Sequence, residues 1–178
     1  MRPFTWLLIL CGFLLIEASC TAQPPPSPLR TTTSIRDIMH AMVEPSANLI
    51  WNAVAVNVTL AGTEIRAPET DEEWDAVRNG AISLREATNL ILMEGRTVAY
   101  PGQRSANPET ELEPEQILAL IDGDREAWAE NVHGLYDAVE VVLKAIEAKD
   151  ADQLSEAGAG LDTVCENCHL KYWYPEGQ

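Results

Sequence analysis

Five residues near the C-terminus, Cys165-Glu166-Asn167-Cys168-His169, carry the most specific chemistry in the sequence. Two thiols three positions apart on one helical turn can each add to a different vinyl group of one porphyrin, giving two thioethers. The adjacent histidine then lies under the ring, where its imidazole can bind iron as the proximal ligand. Cys-x-x-Cys-His is the attachment spacing of c-type haem. It predicts one covalent haem c, with Cys165 and Cys168 as anchors and His169 as the proximal iron ligand.

Two other uses of a cysteine pair fit less well. A structural zinc site takes four ligands, usually from two such pairs, whereas the remaining histidines are His40 and His133 and no second pair follows the leader. A thioredoxin-like redox pair sits where a strand meets a helix in an α/β domain. Here the pair lies late in a helical sequence and runs directly into histidine.

The elements that must position these residues read as helices. The first begins near Ser34, a good cap, and carries Ile35, Ile38, Met39, Met42, Leu49, Ile50, Ala53 and Val54 at helical spacing. Pro45 is expected to kink or split it near Glu44. A loop is expected from about Val58 to Glu69, and no convincing alternating strand is found. Thr70 to Glu73 form a capping box for a second helix marked by Trp74, Val77, Ala81, Leu84, Ala87 and Ile91, ending near Gly95. Residues 97–113 lack periodicity and read as a long connection. Pro114 opens a third helix, with a bend at Gly123, that continues to Ile146. The fourth starts at Asp150 and places Leu154, Ala157, Leu161, Val164, Cys165, Cys168 and Tyr172 on one stripe. The expected fold is all-α, a four-helix bundle with a C-terminal haem-attachment helix, over residues 33–178.

The N-terminus reads as an export signal. Trp6 to Ile16 is an apolar run too short to anchor a membrane span, followed by the small residues Ala18, Ser19 and Ala22. Residues 1–22 are taken as a signal peptide and 23–32 as a Pro-rich linker. Cys20 offers a lipid attachment point, although Glu17 occupies a position usually held by an aliphatic residue, so a lipoprotein and ordinary cleavage after Ala22 both stay open. The expected location is periplasmic, soluble or tethered through Cys20, where haem attachment also takes place. Of four cysteines, Cys11 and Cys20 belong to this leader, leaving no disulfide framework in the folded part. A net charge of -16 argues against nucleic-acid or anionic-membrane binding. It suits a basic protein partner or plain solubility.

A bundle whose only Cys-x-x-Cys-His closes the last helix resembles the class II c-type cytochromes, the cytochrome c′ group. The specific likeness rests on Cys165 to His169 with Tyr172 three residues on, and on Ile38-Met39-His40-Ala41-Met42-Val43, which is similar to the family's distal segment. Pro45, the loop around Gly62 and the segment before Pro114 depart from the usual pattern and mark a divergent member. The resemblance implies that the first helix covers the distal face of the haem. Met39 is then the favoured distal ligand, with Met42, His40 and an open site as alternatives. Histidine–methionine ligation favours one-electron transfer between periplasmic redox partners, whereas an open iron favours binding or sensing of small gases. No distal acid–base residue beyond His40 points to an enzyme. Trp51, Trp74, Trp128 and Trp173 are candidates for packing on the porphyrin, and Gly158 and Gly160 for close approach of the last helix. The identity of the partners and the oligomeric state, a dimer included, are left open.

Overall fold

The structure, a computed structural model, describes residues 29–174. The chain divides at Arg30, and all elements below belong to the unit that starts at Thr31. The leader, Cys20 and most of the Pro-rich linker lie outside the described residues.

The described chain is mostly helical. A first helical stretch consists of α1 (Ile35–Ile38), a π-helical segment (Met39–Val43) and α2 (Glu44–Trp51). A hairpin of β1 (Ala55–Thr59) and β2 (Gly62–Arg66) follows. Then come α3 (Asp71–Leu92), α4 (Pro114–Gly123), α5 (Arg125–Glu147) and α6 (Ala151–Tyr172). Helix α5 packs on both α3 and α6, while α2 rests on α3 and touches α6. Leu84 of α3, Ile117 of α4, Val139 and Val142 of α5 and Leu161 of α6 are fully buried where these helices meet.

Pro45 changes the first helix without ending it. In an α-helix its ring would press on the carbonyl of Ala41, four residues earlier. The preceding turn widens instead, and Glu44 N–H donates to Met39 O, a bond spanning five residues. Pro45 then occupies the opening turn of α2, where a missing N–H costs little.

Three further expectations are corrected. Residues 55–66 form an antiparallel hairpin, with Val56 opposite Ile65 and Thr59 opposite Gly62, where a loop from Val58 was expected. The alternation is short, and its apolar residues face solvent, so it lacked the half-buried pattern that identifies a strand. Gly62 at the turn has φ 135°, a conformation glycine adopts without strain. The bend expected at Gly123 is a full break, because Asp124 leaves the helical region and its carboxylate accepts Ala127 N–H at 2.9 Å, capping α5. Of the two glycines expected to allow close approach of α6, Gly158 lies in ordinary contact distance of Trp51, whose Cδ1 would stand 3.5 Å from an added Cβ, but Gly160 does not, and the tightest approach is at Gly80. A Cβ on Gly80 would stand 3.1 Å from Leu49 Cδ1, whereas one on Gly160 would meet nothing within 4 Å.

The start of the first helix is held from outside. Ile35 and Arg36 N–H donate to Thr97 O and Val98 O at 2.9 and 3.0 Å, and Asp37 N–H donates to Ser34 Oγ at 3.1 Å. Donors that an isolated helix leaves unsatisfied are thus matched by the connection after α3. Arg96 locks this arrangement from a buried position, donating from Nε to Leu90 O at 2.7 Å and from Nη1 to Thr33 O, with Met93 Sδ 3.3 Å from Nη2. Replacing it by methionine keeps the stem's apolar contacts but takes the side-chain donor from both carbonyls, leaving Leu90 O with the Met93 N–H at 3.3 Å and Thr33 O without the guanidinium. Arg96→Met should lower stability by about 1–3 kcal/mol in urea titration. A loss under about 0.5 kcal/mol would show that the clamp is not needed.

Candidate functional site

Cys165, Cys168 and His169 lie in the last turns of α6, with all three side chains partly buried. The helix brings them together because its apolar stripe, anchored by Leu154 and Leu161, turns this face toward the first helical stretch. Between them lies a cavity of about 420 Å³. Met39, Val43 and Ala47 form one wall, and Cys165, His169 and Trp173 form the other. Its volume falls within the roughly 300–1,000 Å³ usual for small-molecule sites. A smaller space of about 40 Å³ lies against the same residues and reaches Cys168, Trp128 and Asn131.

Met39 and His169 therefore line one cavity from opposite helices. Met42, three residues on, lines neither space and is half-buried against the core. His40 reaches the larger cavity at its rim, where its Nδ1 stands 3.1 Å from Glu44 Oε2 and both side chains are exposed. His133 is exposed on α5. Trp51 and Trp173 line the larger space and Trp128 the smaller one, whereas Trp74 is buried in the core away from both. Gly158 accepts Trp51 Nε1–H at 3.0 Å, which fixes that indole across α2 and α6.

Sequence reading missed Arg36, Glu44, Ala47, Ala106, Glu111 and Tyr174 among the lining residues. Arg36 stands three residues before Met39, a helical neighbour that could have been inferred. Glu111 and Ala106 come from the aperiodic connection, where nothing local signals a site. Tyr174 lies just past α6, and its hydroxyl donates to Glu166 Oε2 at 2.7 Å. Burial and that carboxylate push the phenol up to about 12.

The electrostatics favour neutral groups inside. Burial, aided by Asp162, raises the Cys165 thiol to about 11, and burial with the neighbouring Cys165 raises Cys168 to about 11. Burial lowers His169, against a smaller opposing effect of Glu166, so its imidazole stays neutral and able to donate a lone pair to a metal. Both cysteines are free thiols. Trp128 Nε1 is buried with no hydrogen-bond partner among the described residues. Apolar walls, two thiols on one turn, a neutral imidazole and an unpartnered buried donor together fit a flat, largely apolar iron macrocycle. Among the described residues, no cluster of three or more His, Cys, Asp and Glu side chains could hold a bare metal ion.

No protein-family model matches the chain, and comparisons with curated proteins and with solved structures find no match either.

The thiols give a direct check on the haem-free chain. At pH 8 a thiol with pKa about 11 is on the order of 0.1% thiolate, against about 10% for one at 9. Alkylation by iodoacetamide should be roughly a hundredfold slower than in urea-unfolded chain, accelerating toward pH 11. The same shift sets a sign for stability. The thiol contribution is fully present below pH 9 and lost as pH rises through about 11, because the unfolded chain releases these protons first. Equal alkylation rates in folded and unfolded chain at pH 8 would contradict this picture.

Proposed function

We propose that the protein is an exported monohaem c-type cytochrome of the class II kind, passing single electrons between redox proteins outside the cytoplasm. The first helical stretch, α3, α5 and α6 would be the four members of its bundle. The observation that carries the reading is the cavity shared by Cys165, His169 and Met39, on a helix pair that ends in Cys-x-x-Cys-His. In the proposed holoprotein, Cys165 and Cys168 hold haem c by two thioethers and His169 binds its iron from α6. When bound, the haem supplies a one-electron iron couple. The chain's own part is to hold the imidazole neutral, exclude water with Val43, Ala47 and Trp173, and keep charge at the rim on Arg36, Glu44 and Glu111.

Met39 is the proposed distal ligand. It opens the π-helical segment and lines the cavity, whereas Met42 lines neither space. A thioether ligand favours the reduced state and closes the iron to exogenous gases. The proposed location is periplasmic, free or tethered through Cys20, and rests on residues 1–22. Among the described residues no helix is long and apolar enough to cross a membrane.

The decisive experiment is expression with haem-attachment machinery, followed by a pyridine haemochrome spectrum and a denaturing gel stained for haem. One covalent haem per chain is expected, and none for the Cys165→Ala/Cys168→Ala double variant. A wild-type chain without haem, or a double variant that keeps it, removes the proposal.

The distal assignment has its own test. Met39→Ala should abolish the weak sulfur-to-iron band of the oxidised protein, lower the reduction potential and open the iron to carbon monoxide. Met42→Ala should leave all three nearly unchanged. A wild-type spectrum that is already high-spin would instead favour the gas-binding alternative.

A further inference from the structure

Among the described residues, the hairpin is the element whose apolar side chains find no core. Val56, Val58 and Ile65 expose 60%, 79% and 68% of their surface, and Leu60 at the tip is fully exposed. Its strands pair with one another and pack little on the helices. Among the described residues neither strand has a second neighbour, so each presents an open edge.

The register determines what that edge offers. With Thr59 and Gly62 closing a two-residue turn, the mutually bonded pairs are 59–62, 57–64 and 55–66. The backbone groups of Thr63 and Ile65 therefore point outward, and no described residue bonds to them. Along this edge stand Glu64 and Arg66 on either side of Ile65. Residues 55–66 contain one acid and one base, a neutral patch in a chain of net charge -16.

We infer that β2 pairs with β2 of a second copy of this chain, antiparallel and centred on Ile65. A two-fold axis there lets Ile65 exchange both backbone hydrogen bonds with Ile65 of the second copy. The same axis sets Glu64 opposite Arg66 of the second copy, and Arg66 opposite its Glu64, giving two cross-strand ion pairs. The charge order suits this partner because a two-fold antiparallel pairing reverses it. The resulting four-stranded sheet carries Val56, Val58 and Ile65 of both copies on one face. Local neutrality lets this edge approach its copy although the helical body is acidic, since charges beyond about 8 Å are largely screened at physiological salt.

One strand pair is a small interface, so association should be weak, with Kd on the order of 10–100 μM. Sedimentation equilibrium of the purified protein from 0.01 to 1 mM measures it. Wild type is expected to dimerise, and Arg66→Glu to weaken the dimer at least about tenfold by setting like charges opposite one another. Glu64→Arg/Arg66→Glu reverses the order and should restore it. Arg66 Nη2 also donates to Asn52 O at 2.8 Å, and both variants lose that bond, so recovery isolates the cross-strand charges. Circular dichroism should show unchanged helix content in each. A wild-type monomer at 1 mM overturns the inference and leaves the edge to an extended segment of another protein. Indifference to Arg66→Glu, or failure of the swap to restore the dimer, overturns the register.

Discussion

The geometry of the cavity depends on a constraint at two helix ends. The opening N–H groups of the first helical stretch and the closing carbonyl of α6 both find partners in the connection between α3 and α4. Thr97 and Val98 take the donors of Ile35 and Arg36, and Leu112 N–H donates to Trp173 O at 2.8 Å. The two cavity walls are thereby tied to one segment, although 126 positions separate Met39 from Cys165. The connection is itself held by polar contacts. Arg36 reaches Arg104 O at 3.1 Å, Arg104 pairs with Glu113, and Ser105 Oγ–H donates to Glu111 at 2.6 Å. Unmatched backbone groups at these ends would cost more than the bonds themselves contribute. The bonds therefore fix where the helices stop and how they face one another.

Inside that frame the chain separates neutral chemistry from charge. The thiols and imidazole are pushed by burial toward their uncharged forms, while the ionic groups lie at the opening or on the outside. An acidic protein with a low-dielectric pocket gives a cation more reason to stay near the rim than to enter. Arg36 stands there with Glu44 and Glu111, so a cation and two carboxylates meet at the mouth.

Local signals proved legible wherever their cause was local. Thr70 and Glu73 exchange the bonds of a capping box, Asp150 caps α6 through Gln153 N–H, and the apolar stripes of α3, α5 and α6 are buried as their spacing requires. The pentad Cys165–His169 is also local, and its two cysteines share a helix face with Leu161. What stayed hidden arises between distant segments or from competition within one. Glu111 joins the site only because its connection folds back along α6. Pro45 resists a simple rule because the chain can widen a turn as readily as break it. The hairpin was missed because periodicity detects strands through burial, and these strands are not buried.

The widened turn also has an evolutionary consequence. A π-helical turn amounts to one residue added to an α-helix, and one residue corresponds to about 100° of rotation. Everything before Met39–Val43 is thus turned relative to α2, and the side chain offered to α6 depends on helix length as well as on residue type. A one-codon deletion in this segment, with no change to Met39, His40 or Met42 themselves, would exchange which of them meets His169. Were haem held there as proposed, its ligation would be open to change by insertion and deletion, in chains whose aligned residues agree and whose chemistry does not.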